Sequence, residues 1–107
     1  MSNGPHEVFT VTKSVTAENQ YSDWLWVPKG TFQWTTGGSG WVATAILQRA
    51  ALGDYSDVIT IDSSTTVGSW PKVDGAGAYY RMGVATGSFT SGTLALRLAR
   101  GQGLSIG

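Results

Sequence analysis

Through much of this chain apolar side chains recur at every second position, the period of a strand that buries one face. From His6 to Val15, the residues Phe9, Val11, Lys13 and Val15 alternate with Val8, Thr10, Thr12 and Ser14, which predicts a first strand. The run Tyr21 to Val27 puts Trp24 and Trp26 on one face and Leu25 and Val27 on the other, and Pro28 closes it because proline has no N–H for the ladder. Thr31 to Thr36 alternates again, and Gly37-Gly38-Ser39-Gly40 before Trp41 reads as the turn of a hairpin. The segment Trp41 to Ala50, with Ala43, Ala45, Ile46 and Leu47, suits a helix as readily as a strand, but its flanking glycines and neighbouring strands favour β.

Asp54 to Asp62 predicts a short strand around Val58, Ile59 and Ile61, with Ser63 to Thr66 as a turn or loop. Val67 to Trp70 adds a short edge segment before Pro71, and Asp74-Gly75-Ala76-Gly77 turns the chain into a strand from Ala78 to Val84. In the last run, Ser88 to Arg100, Leu94, Leu96 and Leu98 face one way and Thr93, Ala95, Arg97 and Ala99 the other. About seven or eight such strands, with turn signals at roughly ten-residue spacing, predict an all-β fold: a single-domain antiparallel β-sandwich, jelly-roll-like. That domain takes in residues 1–107, with a possible N-terminal arm at 1–7 that could pair with another subunit's sheet edge. At 101–107 a flexible tail carries Leu104 and Ile106, which either stay free or insert into a neighbouring subunit.

Composition narrows the function classes. A chain of 107 residues has room for one core. Seven basic and seven acidic residues cancel, so no long-range field draws in nucleic acid or an anionic membrane, and neither is expected as a partner. The absence of cysteine removes disulfides, thiolate nucleophiles and sulfur-held metals. The N-terminus lacks the basic start and apolar run of a signal peptide, and no stretch approaches the ~18 apolar residues of a membrane span, so a soluble protein made in the cytoplasm is expected.

Groups suited to catalysis or metal binding are few in this chain. The single histidine, His6, reads as a solvated residue near the start of the chain, and a hydrolytic triad or zinc site has no other candidate. Asp54, Asp57 and Asp62 admit a calcium or paired-carboxylate reading, but their spacing fits no EF-hand loop and aspartates in turns usually bind their own backbone. No phosphate cradle follows from Gly37-Gly38-Ser39-Gly40 or Gly75-x-Gly77. No enzyme, metal or cofactor is expected. Trp24, Trp26, Trp34, Trp41 and Trp70 divide between core fill and interface anchors, or else form a flat platform for sugar rings or bases; the first reading is preferred. Arg49, Arg81 and Arg97 sit in strands and are expected to line one solvent-facing or subunit-facing surface, pairing with Asp57 or Asp62.

The second half resembles a pattern that recurs in small bacteriophage virion proteins. The residues that carry it are Leu47-Gln48-Arg49, then Asp54-Tyr55, then Tyr80-Arg81, then Ser91-Gly92-Thr93 with Arg97. The resemblance implies a β-sandwich component of a tailed phage, a capsid decoration or cement protein that binds and stabilises the lattice, with a head–tail or tail accessory protein as the alternative. It implies location in the virion and partners such as the major capsid protein; a homo-oligomer is expected with it, its interface drawn from among the five tryptophans and three arginines. A carbohydrate-binding β-sandwich module is the competing class.

Overall fold

The computed structural model describes residues 9–100. The possible arm at 1–7, His6 and the tail with Leu104 and Ile106 lie outside the described residues. Among the described residues eleven strand segments run in the order β1 Thr10–Val15, β2 Gln20–Tyr21, β3 Leu25–Val27, β4 Gly30–Gly37, β5 Val42–Ala43, β6 Ala45–Ala50, β7 Ile59–Ser64, β8 Gly68–Asp74, β9 Ala78–Val84, β10 Phe89–Ser91 and β11 Leu94–Arg100. Among the described residues no helix is long and apolar enough to cross a membrane.

The segments form a sheet of order β1-β11-β4-β8, a second sheet in which β2 and β3 both pair with β9, followed by β6 and β7, and a short β10-β5 ladder. Every pairing is antiparallel. Taking β2–β3, β5–β6 and β10–β11 as three interrupted strands reduces eleven segments to eight strands, and these nest: first with eighth, second with seventh, third with sixth, fourth with fifth. A long hairpin rolled over on itself gives this nesting, which is the jelly-roll form of the sandwich.

Alternation builds the core between the sheets. Leu94, Leu96 and Leu98 of β11 point inward to meet Leu25, Val27, Phe32, Tyr80 and Met82, all buried. Each such side chain contributes about 1.5–3 kcal/mol on leaving water, and no disulfide assists.

Several sequence expectations need correction. Gly37-Gly38-Ser39-Gly40 is no hairpin turn: β4 already has β11 on one side and β8 on the other, so the chain crosses to the second sheet. The segment expected from Trp41 to Ala50 is strand from Val42, broken at Thr44, whose N–H leaves the ladder for Ser88 O at 2.8 Å. The strand expected from Asp54 starts only at Ile59 and continues through Ser63 and Ser64. Pro71 does not end its strand; it lies opposite Gln33 in the middle of β8, which is an outer strand and so tolerates a residue without an N–H.

Candidate functional site

Parity decides what the outer face of the second sheet carries. On β9, Tyr80, Met82 and Val84 are buried, so Tyr79, Arg81 and Gly83 face outward. Antiparallel register sets Gln48 beside Arg81 and Gly83 beside Tyr21, and Tyr79 lies opposite both Ala50 and Trp26. The face therefore collects Tyr21, Trp26, Gln48, Tyr79 and Arg81 from β2, β3, β6 and β9.

A bulge adds Trp24. Between the pairs Tyr21↔Gly83 and Leu25↔Tyr80, the β2–β3 strand carries Ser22, Asp23 and Trp24 where β9 carries only Arg81 and Met82. Ser22 holds the gap shut, its N–H donating to Met82 O at 2.8 Å and its hydroxyl accepting from Met82 N at 3.0 Å. One extra residue re-aims the chain, as bulges do. Tyr21 and Trp24 thereby both reach Arg81, whose guanidinium carbon lies 4.1 Å from the Tyr21 ring centroid and 4.8 Å from that of Trp24. Gly83 makes the approach of Tyr21 possible: a Cβ there would stand 2.5 Å from Gln20 O and closer still to the Tyr21 ring.

The rings continue across the face. Tyr55 stacks on Trp24 with centroids 4.5 Å apart and planes 5° from parallel, and meets Tyr79 edge-on at 5.4 Å; Trp26 meets Tyr79 at 5.0 Å. Tyr55 arrives from the loop after β6, in a left-handed conformation (φ 58°) that a bulky L-residue adopts at some cost in strain. Its N–H donates to Leu52 O at 3.0 Å, and Asp57 carboxylate oxygens accept from Ala51 N and Leu52 N at 3.0 and 3.2 Å, fixing the loop that presents the ring. Trp26 is 44% exposed and Tyr55 37%. Next to them, Trp24, Trp26 and Tyr79 help line a groove of about 370 Å³, together with Val11, Asp23 and Arg100.

The remaining candidates lie elsewhere. Trp34 is 0% exposed, a core residue and no interface anchor, with its Nε1–H donating to Asp62 at 3.0 Å. Trp41 and Trp70 are partly buried against the core, Trp70 tilted on Trp34 at 5.2 Å. The three arginines do not share a surface. Arg81 is on the outer face of the second sheet, and Arg97 is exposed on the outer face of the first, with Thr12 and Thr35 on either side. Arg49 shares the inward parity of Leu47 and donates from Nε to buried Asp74 at 2.8 Å. Neither Asp57 nor Asp62 pairs with an arginine, because Asp57 is taken by the loop backbone and Asp62 by Trp34 and by Lys72 at 2.7 Å.

Asp74 is the most perturbed acid. Burial pushes its carboxyl up, but Arg49, the Tyr80 hydroxyl and the N–H groups of Ala76 and Gly77 outweigh this and hold it well below the usual range. Burial and the same carboxylate push the Tyr80 hydroxyl up to about 12. The cluster closes the turn between β8 and β9 and is fully engaged in that. The hydroxyl and amide of Ser56 hold Asp54 low, which bears out the turn reading for Asp54 as the loop amides do for Asp57. Among the described residues no group of three or more His, Asp or Glu is placed to hold a metal ion.

Trp24, Trp26 and Arg81 are legible in the sequence as interface candidates and Tyr55 only as part of the phage-like pattern, whereas Tyr21 and Tyr79 are not singled out there. Tyr79 was within reach, since it alternates with buried Tyr80; Tyr55 depends on a loop that no periodicity describes. In comparisons with known proteins, the chain matches no family model, no curated protein and no solved structure.

Proposed function

We propose that this domain is a structural component of a bacteriophage virion, of the capsid decoration type, and that it acts by binding and not by catalysis. On this reading it is made in the host cytoplasm, resides in the particle, and meets capsid subunits or further copies of itself through the face built on Trp24, Trp26, Tyr55, Tyr79 and Arg81. One observation carries the reading: three pieces of the phage-like pattern, Leu47-Gln48-Arg49, Asp54-Tyr55 and Tyr80-Arg81, meet at the second sheet, while Arg97 stands on the first. Gln48 and Arg81 are cross-strand neighbours joined by a hydrogen bond, Arg49 lies opposite Tyr80, and Tyr55 stacks beside Arg81 on Trp24. Ser91-Gly92-Thr93 shapes the corner where Gly92, at φ 91°, passes so close to Trp41 that a Cβ would stand 2.6 Å from its Cα. Exposed aromatic side chains with arginine are the composition of interface anchors.

The test is light scattering on the size-exclusion peak, with co-sedimentation of the protein and assembled capsids. A defined oligomer or saturable capsid binding, weakened by Trp26→Ala with the fold intact, is expected. A strict monomer without affinity for capsids overturns the reading. The exposed Trp26 ring beside the groove favours carbohydrate binding as a second reading. Tryptophan fluorescence that stays flat across a panel of oligosaccharides dismisses it.

A further inference from the structure

Arg81 has bonding capacity that the fold leaves unused. Its Nε donates to Gln48 Oε1 at 2.8 Å and its plane lies against Tyr21 and Trp24, yet its terminal Nη1 and Nη2 groups have no hydrogen-bond partner among the described residues. No carboxylate among them pairs with it, whereas Arg49 has Asp74 and Lys72 has Asp62. A guanidinium with Nε occupied offers the end-on Nη1/Nη2 fork, which matches the two oxygens of one carboxylate. The rings and Gln48 already order the side chain, so little rotamer freedom remains to be lost on binding. Aromatic walls also keep water back, which strengthens a charged hydrogen bond.

We propose that the Arg81 fork is a receptor for a single carboxylate, supplied by an Asp or Glu side chain on the surface of a partner protein. This rests on the reading of the face as a protein-docking surface and names the chemistry of its partner. The neighbouring groups favour a protein side chain over an acidic sugar. Both ends of the Gln48 amide are engaged, Oε1 with Arg81 and Nε2 with Thr60 at 3.3 Å, and Trp24 is stacked on Tyr55, so few free polar groups or open rings remain for a sugar's hydroxyls. A side-chain carboxylate needs only the fork, and the apolar surround of a protein contact would seal the rings.

The test follows the Arg81 Nε–H resonance of isotope-labelled protein during titration with sodium acetate, against sodium chloride at equal ionic strength. Short peptides carrying one Asp or Glu, their Asn or Gln counterparts, and galacturonate trisaccharide are then titrated in the same way. A saturable shift with acetate and not chloride is expected, with peptide affinity lower by about tenfold on Asp→Asn and again in R81K, which keeps the charge and loses the fork. Acetate acting no differently from chloride overturns the proposal, as does saturation by galacturonate while acidic peptides fail. If R81K does not fold, the wild-type titrations decide alone. Capsid binding unchanged in folded R81K overturns this inference and leaves the docking reading standing; acidic-peptide binding by a protein that ignores capsids does the reverse.

Discussion

Two tryptophans eight positions apart have opposite fates, and their substitution separates folding from binding. Trp34 is sealed between the sheets, so Trp34→Ala is expected to cost about 3–5 kcal/mol, with more from the donor that Asp62 loses. Trp26 stands on the outer face against Tyr79, and Trp26→Ala is expected to cost about 1 kcal/mol while weakening assembly. Urea denaturation followed by circular dichroism, paired with the capsid assay, distinguishes the two. Gly83→Ala probes the arginine site without touching it. Its Cβ would collide with Gln20 O, so β2 must move, and a loss of about 1–3 kcal/mol is expected with Tyr21 displaced from Arg81. A chemical-shift change at Arg81 Nε–H in that variant is the signature.

At the scale of elements, the β8–β9 turn behaves as an electrostatic latch. The Asp74 carboxyl is held below its unfolded value, so its contribution to stability is complete above about pH 4 and is lost as the pH falls from there towards the folded value. Tyr80 has the opposite sign: raised from 10.0 to about 12, it stabilises fully below about pH 10 and loses that contribution as the pH rises through 12, an effect of order 2–3 kcal/mol. Melting temperature measured against pH should therefore fall at both extremes. In Tyr80→Phe the alkaline fall is expected to be blunted, with about 1–3 kcal/mol already lost at neutral pH because Asp74 is left short of a donor.

For the whole molecule, the nested pairing places Thr10 opposite Ala99, so the sheet that carries Leu94, Leu96 and Leu98 closes only when the two ends of the described chain meet. Closing such long loops before their contacts form is slow, and folding in milliseconds to seconds is expected from stopped-flow tryptophan fluorescence. A phase completed within microseconds would contradict the nesting. The outer strands β7 and β8 leave Ile59, Ile61 and Val73 exposed, but the bulge in β7 and Pro71 in β8 disfavour indiscriminate edge pairing. Assembly is accordingly expected through the aromatic face, and Ile59→Lys is expected to leave the oligomeric state unchanged in light scattering.

The sequence by itself determined the all-β class, the inward leucines of β11, the split of Trp24 and Trp26 from Leu25 and Val27, and the turn at Asp74, because alternation and turn chemistry act over a few neighbouring residues. Only the tertiary structure decided which strands pair, where the bulges fall, that Gly37-Gly38-Ser39-Gly40 crosses between sheets, and that Arg49, Arg81 and Arg97 go to three different environments. A single inserted residue reverses the facing of everything beyond it, and a pairing partner dozens of residues away leaves no local mark. The meeting of Tyr21, Trp24, Tyr55 and Tyr79 around Arg81 is a property of register, and register is set only when both sheets close on one core.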